Sequence, residues 1–426
     1  MLDSRRVTSR ELTEQSIARL KRYSPKLLCT VTMLERRALA KADEADRRIA
    51  EGRPRGPLDG VPCGIKDLFA LRGHPTTWGA EPFRDQVLEH DAAVVERLDQ
   101  AGAVIVAKLT LGALAMDDKW FGGMTRNPWN PKQGSSGSSA GSASAMAARL
   151  VAFTVGTETL GSIVSPSQRC RVTGLRPTFG RISRHGAMAL SWTMDKVGPI
   201  CRSAEDCAIV LEALHGADPR DPMSVTRAFV PRSLDSLHGL RVAYLSAKPL
   251  DEDDSGGALE PVLESMRSLG ADPKPVRFRE IPKGTDELLA CEAAAAFQQI
   301  TLDGRVDTIS RSYWPQIFRT AHLMSGVDYV QAMRARTIVM RQFEEDFGEF
   351  DLLVAPDRGG FTLYNTNLTG HPQVYVPDGK GSGFSLVGRL YGEATLCAVA
   401  QRLQDVEKAY LRKPDLAAVE AFDPAG

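Results

Sequence analysis

The chain has 426 residues, 43% of them hydrophobic and 25% charged, and its 53 basic side chains are balanced by 53 acidic ones. That is ordinary globular composition with length enough for a sizeable core, and the cancelled charge gives no pull toward nucleic acid or an anionic membrane. Seven scattered cysteines without a Cys-x-x-Cys pair, together with scarce histidine, suggest neither a metal site nor a disulfide framework.

The first residues carry no apolar signal segment, and no apolar run of about 18 residues could span a bilayer, so a cytoplasmic enzyme is expected. From residue 9, "SRELTEQSIARLKRY" predicts a helix capped by Ser9. Pro25 separates it from a second helix, "ERRALAKADEADRRIAEG", closed by Gly52. "PLDGVPCGIKDLF" (57–69) reads as a short strand between turns. A helix over 91–101, stopped by Gly102, then gives way to a strand over 103–108, an alternation that points to α/β layering. "RLVAFTVGT" (149–157) is a strand candidate, and "SAEDCAIVLEALHG" (203–216) a helix capped by Ser203. The stretch from about 218 to 345 holds another strand, "LRVAYLS", and several helical patterns. A strand over 350–356 and a helix over 392–407 follow, and no internal repeat is visible.

One segment, "PKQGSSGSSAGSASAMAARL" (131–150), admits three readings. Composition alone makes it a Ser/Gly linker. Against this, it runs directly into a helix-then-strand pattern, with no composition shift marking a boundary. Gly137-Ser138-Ser139-Ala140-Gly141 also matches G-x-S-x-G, but a nucleophile elbow needs an apolar strand before it. The preceding "RNPWNPKQ" has two prolines instead. None of His185, His215, His238, His322 and His371 stands in a distinctive setting for such a site.

The third reading joins this segment to two others. Glycine beside serine after a strand, in "VGTETLGSIVSP", lets backbone N–H groups approach a substrate and form an oxyanion hole. Lys66 in "GVPCGIKDLF" is flanked by apolar residues, and burial beside hydroxyls would favour its neutral, basic form. Lysine is a known activator of nucleophilic serine. Taken singly, a surface lysine and turn serines are the simpler account.

Taken together, "GSSAGSASAMAARLVAFTVGTETLGSIVSP", "GLRPTFGRIS" and "MDKVGPICRSAEDCAIVLEAL" strongly resemble the amidase signature family. The likeness runs from about residue 8 to 216 and more weakly from about 350 to 410. The family has a Lys–cis-Ser–Ser triad with its serines 24 positions apart, the separation of Ser138 and Ser162.

The resemblance implies one α/β domain over 1–426, with a large mixed sheet covered by helices on both faces. Within it, N-terminal helices would occupy 1–56, the signature core 57–216, peripheral helices and loops 217–345, and the C-terminal completion 346–426. It implies further that Ser162 attacks an amide carbonyl, that Ser138 relays the proton between Ser162 and Lys66, and that the N–H groups of Thr159, Leu160, Gly161 and Ser162 hold the oxyanion. No metal or cofactor is needed, the substrate is a small amide, esters would also be cleaved, and a homodimer is a family-level expectation.

Four positions depart from the family's pattern. Glu158 replaces Asp and Val164 replaces Arg, which would remove a supporting pair; Leu160 and Arg171 stand where Gly is usual. Met116, Trp120, Phe121, Met124 and Trp192 are candidates for an apolar pocket, with ordinary packing as the simpler account of each. Two rival functions stand beside the hydrolase. One is the glutaminase component of a tRNA-dependent amidotransferase, although the C-terminal "DRGGFTLYNTNLTGHPQVYVPDG" lacks its glutamine-binding pattern. The other is a binding protein that keeps the fold without the chemistry.

Overall fold

Apolar runs spaced between helices assemble into one eleven-stranded mixed sheet. The computed structural model describes residue 2 and residues 6–246, 257–309, 312–356, 360–378 and 381–423. The strands are β1 (Thr30–Met33), β2 (Pro62–Lys66), β3 (Val104–Leu109), β4 (Phe153–Glu158), β5 (Thr173–Arg176), β6 (Lys196–Cys201), β7 (Val242–Leu245), β8 (Lys274–Val276), β9 (Leu352–Pro356), β10 (Gln373–Pro377) and β11 (Gly383–Gly388). Their order across the sheet is β1-β3-β2-β4-β6-β5-β10-β11-β9-β7-β8. β2 runs parallel to both β3 and β4, and β7 parallel to β8 and β9, while the other neighbours are antiparallel.

Helices flank the sheet: α1 (Ser9–Leu27), α2 (Glu35–Ala50), α3 (Ala93–Gln100), α4 (Ala140–Ala147), α5 (Val164–Cys170) and α6 (Ala204–Leu214) come from the first half of the chain. Every residue of β2, β3 and β6 is buried, which is why these strands read as apolar runs without polar alternation. The pleat still sorts their side chains. Ile105 packs with Ile65 and Val155, whereas Val104 and Val106 pack with Leu20 and Leu27 of α1. Lys66, following Ile65, turns away from Ile65's cluster.

Several boundaries differ from expectation for identifiable reasons. Thr8, not Ser9, caps α1: its hydroxyl accepts from the Glu11 N–H at 3.0 Å, while Glu11 accepts the Thr8 N–H at 2.8 Å. Ser9 instead sits inside the helix and donates to the Gly60 carbonyl at 2.8 Å. Pro25 does not end α1, because it falls in the last turn and Leu27 beyond it is fully buried. β1 is invisible in the sequence: it has four residues of even, partial burial. β4 starts at Phe153 rather than 149, since Arg149 (φ 54°) and Leu150 close α4, the Leu150 N–H bonding back to Ala145. The strand expected in "LRVAYLS" is β7, with Val242 and Ala243 buried, and residues 217–345 supply β8 as well, so they are not only helices and loops.

Among the described residues, no helix is long and apolar enough to cross a membrane. Asp67, next after Lys66, forms a fully buried ion pair with Lys108 at 2.8 Å. Lys108 also donates to Thr76 Oγ1 at 2.6 Å and Asp67 accepts the Thr77 N–H at 3.0 Å. Removing one member leaves the other charge uncompensated. Asp67→Ala is therefore expected to lower unfolding free energy by about 3–5 kcal/mol. Urea titration should show that Asp67→Ala combined with Lys108→Met recovers most of the loss.

Candidate active site

The end of β2 carries Lys66 into a nest of uncharged oxygens. Its Nζ lies 2.8 Å from Ser138 Oγ, 3.1 Å from Ser139 Oγ, 2.9 Å from Thr157 Oγ1 and 3.4 Å from the Thr157 carbonyl. The side chain is fully buried, and no carboxylate lies within ion-pair range among the described residues. Burial lowers its pKa to about 7, with the more distant charges of Asp195 and Glu158 opposing the shift.

The Ser/Gly-rich stretch is not a connector but a packed loop that runs into α4, with Ser135 and residues 138–146 buried. The Gly137–Ser138 peptide is cis. The glycines of the G-x-S-x-G match have packing reasons: a Cβ on Gly137 would sit 1.8 Å from the Asp117 carbonyl oxygen, and one on Gly141 would sit 2.4 Å from the Cys29 carbonyl oxygen. Only a short ribbon, Arg126–Asn127 with Asn130–Gly134, precedes the loop, not a strand of the main sheet.

Ser162 is brought to the same place through the backbone: the Ser139 N–H donates to the Ser162 carbonyl at 3.1 Å. Its turn connects β4 to α5, with Gly161 at φ 93°. The N–H groups of Thr159, Leu160, Gly161 and Ser162 have no acceptor among the described residues, so this turn presents a row of unpaired donors. Leu160 is half-buried, and Thr159 donates its hydroxyl to Asp195 at 2.6 Å.

Glu158 anchors the turn from below. One carboxylate oxygen accepts the N–H groups of Ile163 and Val164 at 2.8 and 2.9 Å. The other accepts from Arg176 at 2.7 Å and Asn367 at 2.8 Å. Burial alone would raise this carboxyl, but the Arg176 charge and the donated hydrogen bonds outweigh it and hold the group at about 2.

The family model described as Amidase matches residues 11–369. The chain belongs to the amidase family. A glutamyl-tRNA(Gln) amidotransferase subunit from Anaeromyxobacter dehalogenans is 32% identical, the match covering 93% of each chain. Its counterpart of the same name from Geobacillus stearothermophilus is also 32% identical, over 98% of this chain and 97% of its own. The native peptide amidase from Stenotrophomonas maltophilia has a TM-score of 0.85 at 27% identity, covering 97% of this chain and 96% of that one. This amidase is thus an enzyme of carbon–nitrogen amide bonds.

The structure accounts for the departures from the family's pattern. A supporting pair is present in this amidase, contrary to expectation: Glu158 reaches Arg176 on β5 instead of position 164. Arg171 adopts φ 55° at the end of α5, a left-handed conformation that costs an L-residue roughly 1–2 kcal/mol. Its guanidinium lies over the Trp129 ring at 4.8 Å, a contact that offsets part of that cost. Of the five apolar-pocket candidates, Trp192 lines a cavity beside Thr157 and Thr159, whereas Met116, Trp120, Phe121 and Met124 do not.

Sequence reasoning missed Thr157, Arg176, Asp195 and Asn367. All four lie in quoted segments, but only the fold shows what they touch. Asn367 is 209 positions from its partner Glu158 and carried no signal.

Glu158→Gln should leave Arg176 as an unmatched buried charge, lowering stability by about 3–5 kcal/mol. The native carboxyl is held below its ordinary 4.5, so its contribution is complete above that pH and fades as pH falls toward about 2. Thermal melts of both proteins across this range should therefore converge on acidification.

Proposed function

We propose that the chain is an amidohydrolase working through an acyl-enzyme on Ser162. The observation that carries this reading is the 2.8 Å contact between Ser138 and a buried Lys66 that has only uncharged neighbours. Neutral Lys66 takes the Ser138 hydroxyl proton as Ser138 takes that of Ser162, and the freed Ser162 oxygen bonds to the amide carbonyl carbon. The unpaired N–H groups of residues 159–162 meet the negative charge that develops on the carbonyl oxygen. The proton then returns through Ser138 to the leaving nitrogen as the C–N bond breaks. Water repeats the sequence on the acyl-enzyme, releasing the acid and restoring Ser162. An ester would follow the same path with a leaving group that needs less protonation.

A second reading has the relatives in its favour: one component of an amidotransferase, releasing ammonia from glutamine for partner chains. The names of those relatives include a transfer-RNA substrate, so balanced charge is no ground for excluding a nucleic-acid partner. Glutaminase assay of the chain alone and with candidate partner chains separates the two readings.

The mechanism predicts that Lys66→Met, Ser138→Ala and Ser162→Ala each lower kcat by about 10³-fold or more. A fluorophosphonate should label Ser162 in the native chain, and absence of labelling in folded protein would refute the serine nucleophile. Because the neutral amine is the active form, kcat/KM should be level above about pH 8. It should fall about tenfold per unit below about pH 7. A flat profile from pH 5 to 9 (about two units either side of that value) would contradict the neutral lysine.

A further inference from the structure

A cavity of about 300 Å³ opens beside the candidate site, and its wall chemistry is selective. Buried Thr159 and half-buried Thr157, which contacts Lys66, line its inner end; Trp192 and Met223, 49% and 50% exposed, line its mouth. Between them the surface is mainly apolar, with Leu68, Met188, Leu190 and Val197.

The charged groups in that wall already have hydrogen-bond or ion-pair partners within the protein. Asp195 accepts from Thr159 Oγ1 at 2.6 Å and from the N–H groups of Leu190 and Ser191 at 2.8 and 2.9 Å. Arg184 pairs with Asp221 at 3.0 Å and donates to the Trp192 carbonyl at 2.7 Å. Arg220 is held by Asp218 and Glu96, and the Lys196 amine donates to the Met194 carbonyl. Burial lowers the pKa of His185 from its ordinary value. A charged substituent entering this cavity would lose its hydration and meet side chains whose polar atoms are already engaged by other groups.

Trp192 is exposed, but its backbone is fixed. Buried Glu292 accepts the hydroxyls of Ser191 and Thr193 on either side of it, the latter at 3.1 Å, and Arg336 donates to the Thr193 carbonyl at 3.1 Å. An indole presented half-bare on an immobilised loop loses little further freedom when a ligand packs against it.

Resting on the acyl-enzyme reading above, we infer that this cavity takes the apolar substituent of a neutral amide. An aromatic ring or a short branched chain is the class it fits, with Trp192 and Met223 determining specificity. Free glutamine, whose ammonium and carboxylate would both be stranded, is then a poor substrate.

The test is a kcat/KM comparison on the full chain with phenylacetamide, acetamide and glutamine. Phenylacetamide should exceed glutamine by about 100-fold or more, and Trp192→Ala and Met223→Ala should each cut the phenylacetamide-to-acetamide ratio about tenfold, mainly through KM. Trp192→Phe, which keeps a ring, should fall between. A preference for glutamine, or ratios indifferent to all three substitutions, overturns the inference. Phenylacetamide titrated into the Ser162→Ala protein should also give a saturable change in tryptophan fluorescence that Trp192→Phe removes, and an identical signal in both proteins counts against the cavity. Should fluorophosphonate fail to label Ser162 and no amide be cleaved, the mechanism falls, while this titration still decides the cavity.

Discussion

The amine of Lys66 is buried at the end of a central strand with hydroxyls and a carbonyl for company. In water an ammonium is strongly hydrated, and four neutral oxygens do not replace that hydration in a low-dielectric interior. The amine therefore gives up its proton near neutrality instead of near 10.5. Lys108 shows the alternative. It stands on the adjacent strand β3 at the same depth, but with Asp67 at 2.8 Å, and that arrangement suits an ion pair rather than a base. A carboxylate within bonding distance of Lys66 would likewise favour the ammonium. The site keeps its acids one layer back: Asp195 and Glu158 act on Lys66 only through space, while their own oxygens are tied to other donors.

That layer is also what shapes the turn around Ser162. Glu158 ends β4, and its carboxylate binds the N–H groups of Ile163 and Val164 where α5 begins, so the strand and the helix are clamped about the four residues 159–162. Arg176 compensates the buried charge from β5 and goes on to bind the His371 carbonyl at 2.8 Å, just before β10. Asn367, on the helix Gly360–Thr369, closes the ring. The turn is thus held by residues from both halves of the chain. The weaker likeness beyond residue 350 belongs to this support.

Periodicity and caps make β2, β3 and β4 legible, together with α2, α3 and α6. The residues Lys66, Ser138 and Ser162 can be named because the segments around them resemble the amidase signature. What periodicity cannot supply is pairing. β1 is too short and evenly exposed to show a pattern, and Arg176 reads as any arginine until β5 is laid between β6 and β10. Val164 reads as the loss of a partner for position 158, because a sequence shows which residue is missing but not which distant one has taken its place. Trp192 is one of five indistinguishable apolar candidates. Its place in the cavity wall, on a fastened backbone, separates it from the rest.

Proton counting within the cluster distinguishes the two adjacent serines. Ser139 donates its hydroxyl to the Thr157 carbonyl at 3.0 Å and accepts the Thr157 N–H at 3.2 Å, so toward Lys66 it acts only as an acceptor. A neutral amine has two hydrogens and one lone pair. One hydrogen goes to Ser139, and the lone pair is left for a hydroxyl that still has its proton free, which Ser138 and Thr157 both have. Of these, Ser138 adjoins the peptide that binds Ser162, whereas Thr157 faces the cavity. On the proposed mechanism the relay therefore runs through Ser138. The neighbouring Ser139, which completes the G-x-S-x-G match, serves as a fixed post that orients the amine.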